Sequence, residues 1–345
     1  MKITNGIFLL FIFTAILAFV SCKKSTDDTP KIVELLSPTN ITETGFTANW
    51  NLESSIVQSL MLEVATDNNF ENLIQTIALN NTQKSLTIDN LEGATMYFHR
   101  IIVGFNDGTI INSKIISLKT AYFSEAVTFT TSDNLTIAGK INYLSSNDTP
   151  KPAIIFMHEM GVFINTWKGS DLINKLVEKG YVCMYFDFRG HGNSSSIADL
   201  NILIEDKSLI AKDLMAAMNF IKSQPQVDSS NIALVGASLG GIMAIAGNGF
   251  EEVRTSVSIS GIRDGIYEIF PDMTISSALY ISGELDIHDI PFGNFPVEAQ
   301  SMYDVTEEPK KIIIIPGASA HGTALLSSQS LIAEITDWIE THINL

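Results

Sequence analysis

Cysteine is nearly absent from this chain of 345 residues, which contains only Cys22 and Cys183. Two thiols cannot form a disulfide framework or a cysteine-based zinc site. Basic residues are also few: 21 Lys and Arg stand against 38 Asp and Glu, giving a formal charge of −17. This balance argues against a nucleic-acid-binding protein, whose affinity comes from basic side chains on phosphates. The pattern Gly-x-x-x-x-Gly-Lys-Ser/Thr is missing too, which excludes a P-loop nucleotide site.

Hydrophobic residues are abundant by contrast, at 46% of the chain, and only 17% of residues are charged. A chain of this length and composition can bury large cores and accommodates two or three domains. The sequence therefore predicts folded domains and excludes wholesale disorder.

The amino-terminal segment has the build of a secretory signal. A lysine at position 2 precedes an apolar run over 6–20, which is shorter than the ~20 residues of a membrane-spanning helix. The residues up to Cys22 resemble the lipobox of bacterial lipoproteins, although Phe19 stands where leucine is usual. The resemblance implies a signal peptide over 1–21, acylation of Cys22, a polar tether over 22–29 and attachment at the outer membrane or cell surface. The alternatives are a signal peptide removed together with Cys22, or an anchor helix.

Residues 30–121 show short alternating segments separated by Asn, Asp and Gly, which favours an antiparallel β-sandwich. This region resembles a fibronectin type III domain. The matching positions are Pro38, Trp50, the pattern Leu91-x-Gly-x-x-x-Tyr97 and Arg100.

Two aromatic residues of this region could be taken for a sugar-binding pair, but we expect Trp50 and Tyr97 to lie in the sandwich core. His99 stands between residues expected to face the core, with no second histidine or acidic cluster beside it, so we expect a strand residue that faces solvent. The region has no catalytic constellation. It is therefore predicted to act as a spacer or to contact a glycan or a protein.

The pattern changes in residues 122–345, where apolar strands alternate with helical segments. Such alternation is typical of a parallel sheet covered on both faces by helices, the α/β class. Residues 126–131 and 136–143 are predicted to form an antiparallel hairpin at the edge of the sheet. Cys183 lies in the apolar run 181–186, so we expect a buried and unreactive thiol.

A serine motif follows one of the predicted strands. The segment Gly236-Ala-Ser238-Leu-Gly240 lies between the strand 232–235 and the apolar helix 242–246, so a Gly-x-Ser-x-Gly motif occupies a strand–turn–helix context. This context places a serine on a strained turn whose flanking glycines let strand and helix approach closely. The N–H of Leu239 is then directed at an oxyanion that develops on an attacked carbonyl.

Serine alone is a poor nucleophile and requires a base. Asp286 follows the predicted strand 278–282, and His321 follows the predicted strand 311–315. Three residues in the order Ser, Asp, His, each after the carboxyl end of a strand, are far more specific than the serine motif by itself.

Together these motifs resemble the α/β-hydrolase superfamily over the whole of this region. The resemblance implies that Ser238 is the nucleophile, His321 the base and Asp286 the residue that orients the imidazole. It also implies a second oxyanion donor, the Met160 N–H, although Glu159 replaces the usual glycine. The segment 158–162 resembles dienelactone hydrolases, which use a cysteine nucleophile where this chain has Ser238. The Asp-x-Arg-Gly-x-Gly-x-Ser segment 187–194 also matches the superfamily, in a mostly structural role.

Several alternatives remain open at this stage. Glu284 or Asp289 could replace Asp286 as the acid, and residues 284–289 could bind a metal ion, although no distant second ligand set is evident. His158 and His191 could act as bases, but neither follows the last strand, so we expect hydrogen-bonded loop histidines. His288 is expected at the surface.

The resulting hypothesis is a lipid-anchored serine esterase that uses no metal or organic cofactor. The segment 261–277 is too short for a substantial lid, which favours a small acyl group on a larger or polymeric leaving group. A serine peptidase is the second candidate. A cell-surface binding protein with an idle hydrolase region is the third.

Overall fold

The computed structural model describes residues 32–53, 56–144, 149–263, 273–288 and 293–343. The predicted signal peptide 1–21 and the tether 22–29, with Cys22, lie outside the described residues. Within the described ranges, no helix has the length and apolar character needed to cross a bilayer.

The first region is rich in β-strands, arranged in two antiparallel sheets. One sheet has the order β1-β2-β5, and the other has the order β4-β3-β6-β7, with β8 also paired to β6. The strands are β1 (Ile32–Thr39), β2 (Phe46–Glu53), β3 (Val57–Ala65), β4 (Leu73–Ala78), β5 (Ser85–Ile88), β6 (Met96–Phe105), β7 (Ile110–Asn112) and β8 (Ile116–Lys119).

A single hydrophobic cluster joins the two sheets and contains both aromatic residues predicted for the core. Trp50 has no exposed surface, and Tyr97 is 2% exposed. The Tyr97 hydroxyl accepts a hydrogen bond from the Glu92 N–H at 2.9 Å, which satisfies its polar end inside the cluster. The assignment of this region to the fibronectin type III fold stays a prediction.

The expectation that His99 faces solvent is wrong, because this side chain has no exposed surface. Along β6 every second residue is buried, so His99 shares the inner face with Tyr97 and Ile101. Its ring packs against Phe46 with a centroid separation of 4.9 Å. Burial disfavours the charged imidazolium and lowers the pKa of His99 to about 4.

This burial predicts acid sensitivity. The folded-state pKa of His99 is about 4, below the 6.5 of an unperturbed histidine. Between these values the unfolded chain binds a proton that the folded chain does not, so folding stability falls as the pH drops from 6.5 to 4. The loss due to His99 is about 3 kcal/mol, from 1.36 kcal/mol per pKa unit. Urea unfolding at pH 7 and pH 4.5 should show a smaller acid loss in His99→Phe than in the wild type. Equal losses in the two proteins would contradict the prediction.

The second region contains an eight-stranded sheet of order β18-β15-β14-β13-β11-β12-β10-β9. The pairs from β12 to β18 are parallel, and the hairpin β9–β10 is antiparallel at one edge, as predicted. Its strands are β9 (Phe123–Thr130), β10 (Thr136–Tyr143), β11 (Lys151–Met157), β12 (Val182–Phe186), β13 (Val227–Ala237), β14 (Val253–Ile259), β15 (Ser276–Gly283) and β18 (Glu307–Ile315). A separate short pair consists of β16 (Ile287–His288) and β17 (Gly293–Asn294).

Helices cover this sheet, and the buried residues fall into two clusters. The described α-helices are α1 (Asp171–Glu178), α2 (Ile202–Glu205), α3 (Ser208–Lys222), α4 (Leu239–Ala246), α5 (Phe295–Val305) and α6 (Gln329–His342). The central strands are buried on both faces, and in β14 this burial includes the polar side chains Thr255, Ser256 and Ser258. Cys183 on β12 is fully buried, and burial raises the pKa of its thiol far above the ordinary value, so the thiol stays protonated.

Candidate active site

Ser238 occupies a strained turn between β13 and α4. Its backbone has φ +49° and ψ −111°, in a region that side-chain-bearing residues rarely adopt. The turn is possible because its neighbours are glycines. A Cβ on Gly236 would lie 1.9 Å from the Gly240 carbonyl oxygen, and a Cβ on Gly240 would lie 2.2 Å from the Met157 carbonyl oxygen. Both contacts are with backbone atoms, so a larger residue at either position requires the turn to move.

Asp286 and His321 are brought together by the ends of β15 and β18. The Nδ1 atom of His321 lies 3.0 Å from Oδ1 and 3.1 Å from Oδ2 of Asp286. A carboxylate only accepts hydrogen bonds, so Nδ1 carries the proton and Nε2 is left free to accept one. Asp286 has no exposed surface, and its Oδ2 also accepts a hydrogen bond from the Ser260 hydroxyl at 2.6 Å.

Glu284, the described alternative for this position, makes no hydrogen bond to His321. The Oε2 atom of Glu284 accepts a hydrogen bond from the Gly317 N–H at 2.7 Å. Asp289 lies outside the described residues.

The backbone amides at the serine turn differ in their availability. The Ser238 N–H donates to the Ile259 carbonyl at 2.8 Å, and the Gly240 N–H donates to the His158 carbonyl at 3.1 Å. Among the described residues, neither the N–H of Leu239 nor that of Met160 donates a hydrogen bond to the protein. Leu239 is the first residue of α4, where amides have no partner within the helix. These two amides are the donors that the resemblance assigned to the oxyanion.

A cavity of about 270 Å³ opens at the carboxyl end of the sheet. Six residues line it: Glu159, Met160, Ser238, His288, Phe295 and His321. Ser238 and His321 therefore share one cavity, and Asp286 lies behind His321 in the protein interior. This arrangement can hold a small group between a serine hydroxyl and an imidazole.

His288 is exposed, as predicted from the sequence, but it also contacts two residues of the site. Its side chain is 45% exposed, yet its Nε2 atom lies 3.0 Å from Oδ1 of Asp286 and its ring contacts that of His321. Phe295 packs against both imidazoles, with centroid separations of 5.6 Å to His288 and 4.4 Å to His321. Sequence reasoning missed Phe295, which begins a helix that it also missed.

His158 and His191 are hydrogen-bonded loop residues, away from the Asp286 carboxylate. The Nε2 atom of His158 accepts from the Phe188 N–H at 3.1 Å, so its Nδ1 carries the proton that is donated to the Glu159 carbonyl at 2.7 Å. Burial lowers the pKa of His158 to about 4, which keeps this ring neutral. His191 accepts from the Gly161 N–H at 3.0 Å and supports the loop that carries Met160.

The segment 187–194 has a structural role in the described contacts. The Asp187 carboxylate accepts the backbone N–H groups of Ile164 and Asn193 at 2.7 and 3.0 Å. Arg189 is 2% exposed and pairs with the buried Asp213 at 2.8 Å and with Asp133 at 2.8 Å. Because a buried arginine needs acidic partners, this pair of carboxylates fixes the segment against α3 and the edge hairpin.

Glu159 connects the Met160 loop to the His321 loop. Its Oε1 atom accepts both the N–H and the hydroxyl of Thr323 at 2.6 Å, two residues beyond His321. A Cβ on Gly322 would lie 2.4 Å from this oxygen, so the close contact depends on a glycine at that position. Glu159 thus ties together the loops that carry Met160 and His321.

We expect Glu159→Ala to release this connection. Charge-assisted hydrogen bonds fix side chains and loops more firmly than neutral ones, and a small misplacement of catalytic groups lowers turnover. The expected result is a roughly tenfold lower kcat for the reaction of this site, with KM changed by no more than about twofold. Thr323→Val, which removes one of the two hydrogen bonds, should fall in between. A change confined to KM would contradict a positioning role.

Comparison with known proteins agrees with the fold of the second region. Residues 148–249 match a family model described as serine aminopeptidase, S33. The chain is similar to DcsB, solved in complex with its substrate analogue, at TM-score 0.52 and 17% identity over 64% of this chain and 99% of that one. It is also similar to the α/β hydrolase GrgF from Penicillium sp. sh18, at TM-score 0.51 and 18% identity over 65% of this chain and all of that one (100%). The second region has the α/β-hydrolase fold.

Among curated proteins, the chain is similar to the uncharacterised protein YfhR of Escherichia coli O157:H7 and of strain K12. Each is 24% identical over 216 residues, which cover 56% of this chain and 72% of the relative.

Proposed function

We propose that this protein is an exported, lipid-anchored serine hydrolase that cleaves carboxylic esters with a small acyl group. The observation that carries the proposal is the hydrogen bond between His321 and Asp286, at 3.0 Å, beside a cavity that Ser238 also lines. Ser238 stands at φ +49° in the turn that the Gly-x-Ser-x-Gly motif requires.

The reaction is a two-step acyl transfer. Ser238 Oγ attacks the ester carbonyl carbon while its proton moves to Nε2 of His321. The Leu239 and Met160 amides stabilise the oxyanion of the tetrahedral intermediate, and Asp286 stabilises the imidazolium. His321 then protonates the departing alcohol. In the second step His321 accepts a proton from water as the water attacks the acyl-enzyme carbonyl. His321 then returns the proton to Ser238 Oγ, and the acid is released.

The size of the cavity favours a short acyl group. A volume of about 270 Å³ lies below the ~300–1,000 Å³ of pockets that enclose whole drug-sized ligands. Esters are favoured over amides because an alcohol leaves more easily than an amine. A bulky or polymeric alcohol portion would extend out of the cavity into solvent.

A serine peptidase is the second candidate, and the description of the matching family model as a serine aminopeptidase favours it. The same three residues would perform that reaction on an amide. A cell-surface binding protein with an inactive hydrolase region is the third reading.

We assign residues 30–121 to a fibronectin type III domain that acts as a spacer or contacts a glycan or a protein. Acylation of Cys22 would hold the protein at the outer membrane or cell surface. Cys22→Ser should then move it from the membrane to the soluble fraction of the producing cell.

The test of the enzymatic proposal is covalent labelling combined with a substrate panel. A fluorophosphonate probe should label the purified protein, and mass spectrometry should place the adduct on Ser238. p-Nitrophenyl acetate and butyrate should be hydrolysed faster than the dodecanoate and faster than aminoacyl p-nitroanilides. Faster anilide cleavage would favour the peptidase. A folded protein that neither reacts with the probe nor hydrolyses any substrate would favour the binding protein.

A further inference from the structure

One oxygen atom of Asp286 is shared by two imidazoles. Oδ1 lies 3.0 Å from Nε2 of His288 and 3.0 Å from Nδ1 of His321. A serine–histidine–aspartate arrangement needs only the second of these contacts. The contact between His288 and Asp286 therefore has no role in the proposed reaction. It does bring a third side chain with a metal-binding atom to the site.

The three groups are close enough to surround one metal ion. The Asp286 oxygen, the His288 nitrogen and the His321 nitrogen all lie within 4.8 Å of one another. In a tetrahedral site with bonds of about 2.0 Å, neighbouring ligand atoms are about 3.3 Å apart. The two observed nitrogen–oxygen distances of 3.0 Å come close to that value, so small side-chain shifts would admit an ion.

The chemistry of the donors selects among metal ions. Two imidazole nitrogens and one carboxylate oxygen suit Zn²⁺, whereas Mg²⁺ and Ca²⁺ prefer oxygen ligands. The side chains of His288 and His321 are 45% and 27% exposed, so an ion can enter from the cavity and keep a water molecule as fourth ligand.

Surrounding residues already hold the three ligands in place. Ser260 donates its hydroxyl to Oδ2 of Asp286 at 2.6 Å and accepts the Gly322 N–H at 3.0 Å, which leaves Oδ1 facing the two nitrogens. Phe295 packs against both imidazole rings. Oriented ligands of this kind are what a protein metal site requires, because outer contacts strongly affect its affinity.

We propose that Asp286, His288 and His321 form a Zn²⁺-binding site whose occupation switches the hydrolase off. Zinc on Nδ1 of His321 displaces the proton of that nitrogen to Nε2. Nε2 then carries a hydrogen and cannot accept the proton of Ser238. Zinc also takes the place of the hydrogen bond between His321 and Asp286. Zinc binding does not depend on the proposed reaction, whereas the inhibition rests on it.

The experiment is calorimetric titration with zinc chloride, in protein carrying Cys22→Ser so that Cys22 does not compete. Wild type and Ser238→Ala should each bind one zinc ion with the same micromolar affinity, because Ser238 is not a ligand. His288→Gln should weaken binding at least tenfold, since the loss even of an outer contact costs about 10–100-fold. His342→Gln is the matched control: this histidine belongs to α6, where its Nδ1 contacts the Trp338 carbonyl, and its replacement should leave the affinity unchanged.

Activity provides the second readout. Zinc at ten times its dissociation constant should lower p-nitrophenyl acetate hydrolysis about tenfold, reversibly on addition of EDTA. His288→Gln should resist the same concentration, measured against its own zinc-free rate. Absence of zinc binding, or equal binding in His288→Gln and wild type, would overturn the site. A protein with no esterase activity that still binds zinc through His288 would refute the proposed function alone.

Discussion

Replacement of Ser238 by alanine is expected to lower kcat/KM for p-nitrophenyl butyrate by about three to six powers of ten. The substitution removes the nucleophile and leaves His321 and Asp286 with nothing to activate. The turn should survive, because alanine is no larger than serine at the φ of +49° and both flanking glycines remain. Steady-state kinetics together with a thermal unfolding curve separate loss of chemistry from loss of fold.

The matched control for this variant is Ser282→Ala. It removes another hydroxyl on the same sheet, one that is buried and donates to the Gly283 carbonyl at 3.1 Å. Its activity should stay within about threefold of the wild type. Fluorophosphonate labelling that survives in Ser238→Ala would mean that another residue is the nucleophile.

Asp286→Asn is expected to lower kcat by about three to four powers of ten, the size of effect that follows when the imidazole adopts the wrong tautomer. An amide in this position can direct its NH₂ group at Nδ1 of His321. Nδ1 then accepts a hydrogen bond, and the proton moves to Nε2, the atom that must receive the proton of Ser238. The packing should change little, because the side chains are nearly equal in size. Steady-state kinetics at pH 8 would measure the loss.

Glu284→Gln is the control for the acid. Glu284 was a sequence candidate for the same role, but its carboxylate contacts the Gly317 N–H at 2.7 Å. The expected kcat is within about threefold of wild type. A larger loss in Glu284→Gln than in Asp286→Asn would reverse the assignment of the acid.

The sequence allowed prediction of the α/β-hydrolase fold, because apolar strand segments alternate with helical segments and the parts of the site follow strand ends. Ser238, Asp286 and His321 each come shortly after a strand of the parallel sheet, and the carboxyl ends of parallel strands share one edge. The position of each residue just after a strand therefore predicted that the three lie together at one edge of the sheet. The Leu239 amide was predicted from the serine turn, and the Met160 amide from the resemblance to the superfamily.

Features that depend on how far a side chain extends were harder to predict from the sequence. His288 lies two residues after Asp286, in the short β16–β17 pair, and its ring contacts the carboxylate. Helix α5 begins with Phe295 and Pro296, and its weakly amphipathic sequence gave no clear helical period. His99 was misplaced although a signal existed, since it stands two positions from Tyr97 and strand alternation puts both on one face.

The connection between the two regions is short, and each of its residues makes a hydrogen bond. Only residues 120–122 separate β8 from β9. Thr120 donates its hydroxyl to the Glu92 carbonyl, and the Ala121 N–H donates to the Thr42 carbonyl. On the other side, Tyr122 donates its hydroxyl to Asn174 of α1 at 2.8 Å.

A joint of this kind has a mechanical consequence. Lys119 and Glu178, 2.5 Å apart, add a second contact between the β-rich region and α1, beside the hydrogen bond between Tyr122 and Asn174, and the two contacts limit rotation about the connection. We expect these contacts to restrict the range of angles that the mouth of the cavity can adopt relative to the β-rich region.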